Sequence, residues 1–98
     1  MEVPEVEEVK ALLERLGERE LIGRVDSFVR MNEGLEAKRG EDFIAVSILG
    51  FLEGILTVLG ERYPEDKDVR ELHEKVRARR AELDEQFRRP RIPYLEEG

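Results

Sequence analysis

Cysteine and tryptophan are absent from this 98-residue chain, and histidine, asparagine and glutamine occur only once each. Without cysteine the chain can form no disulfide, no cysteine-ligated zinc site, no iron–sulfur cluster and no thiol nucleophile. The single histidine, His73, excludes a cluster of histidine ligands, and no phosphate-binding glycine loop or nucleophile elbow is present. We therefore expect no cofactor and no metal site.

Positive charge is also scarce, because 17 lysine and arginine residues face 24 aspartate and glutamate residues, for a net charge of −7. A general nucleic-acid-binding domain is usually basic, so this balance argues against one. Charged residues make up 42% of the chain, and with so few thermolabile side chains that composition is typical of heat-adapted proteins. The acidic N-terminus has no apolar signal core, which predicts a cytoplasmic location.

Four segments with helical periodicity predict a single all-α domain over residues 1–98. We expect a four-helix, up-and-down bundle with a central hydrophobic third helix and an extended, proline-rich C-terminal tail. The helices are expected at about 4–16, 18–31, 41–59 and 64–88, and the tail at 89–98. Pro4 and Pro64 suit the first turn of a helix, while Gly17 suits its end.

A short sequence echo occurs 43 positions apart, since Leu-Gly-Glu-Arg stands at 16–19 and again at 59–62. One interpretation is the duplication of a helical hairpin. The interpretation that we favour is that two helices share one stop signal, with Gly17 and Gly60 each ending a helix.

The third segment is the most apolar part of the chain, but it is somewhat short for a membrane span and carries Glu53 near its middle. We therefore predict a core helix and no membrane insertion. Its apolar residues fill about half of the helix circumference at 100° per residue. The other half collects small or polar residues: Ser47, Gly50, Glu53, Gly54 and Thr57.

Gly50 and Gly54 are expected to mark a close helix–helix contact. Each glycine inside a helix costs about 1 kcal/mol relative to alanine, and a closely approaching neighbour would offset that cost. The sequence favours a neighbour within the chain, and a second copy stays open as the alternative.

The fourth segment has a narrow apolar stripe that thins between Val76 and Leu83. Its thinness, together with the apolar tail, predicts an interface with another chain, with a homodimer as the first expectation and a different protein partner as the alternative. The predicted interface residues are Val76, Leu83, Phe87, Ile92, Tyr94 and Leu95. The corresponding function is a non-enzymatic protein-interaction or oligomerisation module.

A basic run follows, because seven cations and three anions lie between Lys75 and Arg91. These cations either contact acidic surface, from the N-terminal helix or another subunit, or contact phosphate in a nucleic-acid accessory protein. The second alternative would use Arg77, Arg79, Arg80, Arg88, Arg89 and Arg91.

Glu53 and His73 are the two candidates for chemistry. Glu53 faces solvent or an arginine, which we favour, or forms a structural ion pair at an interface, or has a perturbed pKa and acts as an acid or base. His73 is expected at the edge of the core, with its ring packed edge-on against the fourth helix's neighbours. No nucleophile, base and orienting group can be named together, so an enzyme is disfavoured without being excluded.

The opening MEVPEV, the apolar helix Phe43–Leu59 and the closing RPRIPYL together resemble the small all-helical proteins of hyperthermophilic archaea. That resemblance implies a stand-alone cytoplasmic protein, and it carries over no activity and no site residues.

Overall fold

The computed structural model describes residues 3–35 and 40–88, apart from the side chains of residues 87 and 88. These ranges form four helices and no strand, so the all-α prediction is confirmed. The helices are α1 (Glu5–Leu16), α2 (Arg19–Glu33), α3 (Glu41–Arg62) and α4 (Lys67–Arg88). The predicted tail, residues 89–98, lies outside the described residues.

Gly17 ends α1 as predicted. It adopts the left-handed conformation, with φ of 74°, which glycine enters without steric cost. The amide of Glu18 then donates a hydrogen bond to the carbonyl oxygen of Leu13 at 2.9 Å. This six-to-one hydrogen bond is the one that defines a Schellman motif. This turn folds α2 back along α1.

Gly60, by contrast, does not end a helix, so the expected second stop signal is wrong. Helix α3 runs through Gly60 to Arg62, and the amide of Tyr63 still donates to the carbonyl oxygen of Leu59 at 2.7 Å. The turn that follows Arg62 is held by side chains. Arg62 and Tyr63 each donate a hydrogen bond to the Glu18 carboxylate, at 2.6 Å. The Leu-Gly-Glu-Arg echo therefore has two different structures.

Helix α4 begins at Lys67, and not at Pro64 as predicted. Asp66 caps it, because its Oδ1 accepts a hydrogen bond from the amide of Val69 at 3.1 Å. Aspartate at this position satisfies one of the amides that the first helical turn leaves without a partner.

Helix α3 lies at the centre of the bundle, as predicted, and contacts each of the other three helices. Phe28 of α2 stacks on Phe51 of α3, with ring centroids 4.2 Å apart, and α4 packs along α3 more extensively than any other helix does. Helix α1 covers the same side by packing on α2 and α4. The core is purely aliphatic, and its completely buried members are Val9, Leu13, Val25, Ala45, Leu49, Leu52, Leu56, Leu59 and Val76.

Among the described helices, α3 alone is long and apolar enough to cross a membrane by length and composition. The core helix of a soluble protein passes the same test. In this structure 44% of its most apolar window is buried against the other helices, and Gly54, Thr57 and Val58 are exposed.

Candidate interaction surface

One side of α3 is only partly covered by the described residues. The eight buried residues of α3 fall within an arc of about 140° at 100° per residue, facing α1, α2 and α4. The opposite arc carries Phe43 near one end of the helix, Glu61 near the other, and between them six small or aliphatic residues, half of them exposed, which we call the outer face. They are Val46, Ser47, Gly50, Gly54, Thr57 and Val58.

Within the described residues, little lies against the two glycines of the outer face, and the predicted close helix contact stays a prediction. A methyl group built on Gly54 would meet nothing within 4 Å. One built on Gly50 would meet only the Cδ of Arg80, at 3.6 Å, which is ordinary van der Waals contact. Nothing in the described chain offsets the helix-propensity cost of these glycines. The alternative that the sequence left open, a second copy, is untouched by this finding.

The rest of the outer face is apolar in effect. Thr57 donates its hydroxyl hydrogen to the carbonyl oxygen of Glu53 at 2.9 Å, so its hydroxyl is satisfied by its own helix. Val58 is 37% exposed, and a shallow cleft of about 500 Å³ runs along Gly50 and Gly54. The cleft is also lined by polar side chains, those of Ser47, Glu53, Arg80 and Asp84.

The α4 border of the outer face is an ion-paired cluster. Arg80 donates to both oxygens of the Glu53 carboxylate and, at 2.6 Å, to Asp84. The hydrogen bond that Arg80 donates to Glu53 raises the pKa of the Arg80 guanidinium, against a smaller opposing effect of desolvation. Glu53 thus faces an arginine of its own chain, the first of the three roles that the sequence allowed, and the cluster holds one cation against two carboxylates.

The α2 border is aromatic and sulfur-containing. The stacked rings of Phe28 and Phe51 are nearly parallel, at 5°, and Met31 beside them is 59% exposed. A second shallow groove, of about 550 Å³, follows this border and is rimmed by the pair of Glu20 and Arg24. Large apolar groups exposed together are more typical of contact surfaces than isolated ones are.

The basic run of α4 is engaged by carboxylates of the same chain. Lys75 lies 2.6 Å from Glu8, and Arg79 lies 2.9 Å from both oxygens of Glu5, so two of its cations meet acids of α1. This matches one of the alternatives drawn from the sequence, contact with acidic surface of the N-terminal helix. Arg77 is paired locally with Glu74. Arg88, Arg89 and Arg91 lie outside the residues whose side chains are described.

The predicted interface residues separate into two groups. Val76 is completely buried within its own chain, so it belongs to the core and is not accessible to a partner. Leu83 is half-buried and packs against the same core. The other four, Phe87, Ile92, Tyr94 and Leu95, lie outside the described side chains.

His73 is half-buried on α4, as a boundary histidine would be. Within the described ranges, no group of three or more histidine, aspartate or glutamate side chains could hold a metal ion. Those ranges also contain no buried side-chain polar atom without a hydrogen-bond partner. The described part of the chain therefore offers no constellation that points to catalysis.

The sequence predicts four of the six residues of the outer face, Ser47, Gly50, Gly54 and Thr57, on one half of the helix, which is where the structure has them. It does not predict Val46 and Val58 there, because a pattern of polarity assigns every valine to the apolar half. Which valines point away from the core depends on where α2 and α4 pack.

The fold and this surface define a small all-α protein whose central helix is buried on one side and partly exposed on the other. The chain belongs to a family described as "Protein of unknown function (DUF3216)", which it matches over residues 6–97. It is also similar to a crystal structure of a singleton protein, PF1176, from P. furiosus. The TM-score is 0.78 at 37% sequence identity, with 85% of this chain and 90% of that chain covered. No curated protein matches the chain. These findings are consistent with the resemblance noted from the sequence.

Proposed function

We propose that the protein is a non-enzymatic self-association module, in which the outer face of α3 packs against a second copy. One observation carries the proposal: Gly54 and Val58 stand open to solvent on the most apolar helix of the chain. Contact of such a surface with water is unfavourable, because each Å² of apolar area that is removed from water contributes about 25 cal/mol of stabilising free energy.

The two glycines support the same proposal. They weaken α3 as an isolated helix, and the described chain places nothing against Gly54 in return. Small side chains let two helix backbones approach closely. A helix of a second copy would therefore use the space that the described residues leave empty.

The borders of the outer face fit a protein partner as well. Exposed Met31 and the half-buried pair of Phe28 and Phe51 lie along one edge, and the Arg80 cluster lies along the other. Methionine, aromatic residues and arginine are the residue types that protein interfaces favour.

Sedimentation equilibrium or light scattering on the full chain tests the proposal. We expect a dimer at about 100 μM, within the weak-to-moderate affinity range of small interfaces. Gly54→Leu is expected to yield a monomer with unchanged helix content, because a Cβ atom there meets nothing within 4 Å among the described residues.

The matched control is Ala78→Leu, which adds similar bulk at an exposed position of α4 away from the outer face. It should leave the dimer intact. A wild-type chain that stays monomeric at high micromolar concentration overturns the proposal, as does a Gly54→Leu variant that dimerises like the wild type.

A further inference from the structure

We draw no further inference here: the strongest candidate, the groove of about 450 Å³ between α1 and α4 over Leu12 and Leu72, is bordered by Arg15 and Lys75, which are already paired with carboxylates of the same chain, and nothing in the structure shows what covers it.

Discussion

Arg79 donates from one nitrogen to both carboxylate oxygens of Glu5, at 2.9 Å, across 74 positions of sequence. Glu5 is only 2% exposed, so its charge is taken out of water at the start of α1. Near it, Lys75 binds Glu8 at 2.6 Å, and at the other end of α1 Arg15 binds Asp66 at 2.8 Å. Helix α1 is thus joined to α4 by ion pairs along its length.

Removing the buried carboxylate should destabilise the fold. Glu5→Ala leaves the partly buried Arg79 without its partner, and breaking a hydrogen bond to a charged group costs about 1–3 kcal/mol. Urea denaturation followed by circular dichroism measures this loss. Glu7→Ala, an exposed acid in the same helical turn, is the control, and surface substitutions of that kind usually stay within about 0.5 kcal/mol. Equal losses in the two variants would contradict the role given to Glu5.

Glycine to alanine should have opposite effects at two positions. Gly54→Ala is expected to stabilise the dissociated chain by about 1 kcal/mol, because alanine favours the helix and the added methyl meets nothing. Gly17→Ala should destabilise by a similar amount, because Gly17 has a φ of +74° that alanine adopts only with strain. Both are measured by denaturation at low micromolar concentration. A destabilising Gly54→Ala would mean that the position is already filled.

The fourth helix shows why part of this structure could not be predicted. Its apolar stripe does thin between Val76 and Leu83, and the sequence supported the inference that another chain completes it. In the structure, half-buried Arg79 and Arg80 occupy that stretch, and their stems cover apolar surface while their charged ends bind Glu5 and Glu53. A sequence pattern that treats arginine as polar cannot predict that arginine stems cover apolar surface.

Helix existence was predictable, and helix ends were predictable only where a local signal decides them. Gly17 has such a signal, because the chain must reverse at that residue. Gly60 has the same neighbours in sequence, yet α3 continues through it, because the end of that helix is fixed by the bonds of Arg62 and Tyr63 to Glu18. Contacts made 44 and 45 positions away are invisible to a local pattern.

Val76 provides a direct test of core against interface. Val76→Ala removes two methyl groups from a completely buried site, which should cost about 2–3 kcal/mol once the cavity is included. The dimer dissociation constant, measured well below the melting temperature, should stay within about threefold of the wild type. A variant with an unchanged melting temperature that no longer self-associates would show that Val76 contacts a partner chain, as the sequence predicted.

Acid should loosen the junction between α1 and α4. The pKa of Asp66 is lowered mainly by the hydrogen bond that Arg15 donates to it, and less by that from the amide of Val69. The pKa of Glu18 is lowered mainly by the hydrogen bond from Tyr63, and less by that from Arg62. A carboxyl with a lowered folded-state pKa stabilises the fold above its unfolded pKa, and that contribution disappears as the pH falls through the folded value. At pH values below about 4, the melting temperature of the protein should therefore be lower than at neutral pH.

Asp66→Asn separates the charge from the cap. Asparagine still caps a helix but cannot titrate, so this variant should be less stable than the wild type at pH 7 and lose less stability between pH 5 and about pH 3. Asp66→Ala removes both functions and should be the least stable at pH 7. Glu65→Gln, which removes a neighbouring exposed charge without touching the cap, is the control. An acid transition unchanged in Asp66→Asn would place the sensitivity elsewhere.

DNA and RNA binding should be absent under the conditions that favour it most. Arg77, Arg79 and Arg80 are each bound to a carboxylate of the same chain, and phosphate would have to displace that carboxylate against a net charge of −7. In gel-shift titrations with duplex and single-stranded oligonucleotides at about 50 mM salt, we expect no retardation. The informative variant is Glu8→Gln with Glu74→Gln, which releases Lys75 and Arg77 without touching the core; any weak binding that it acquires should vanish with added salt. Wild-type binding that weakens steeply with salt would instead favour the nucleic-acid accessory function, with Arg88, Arg89 and Arg91 as the first residues to substitute.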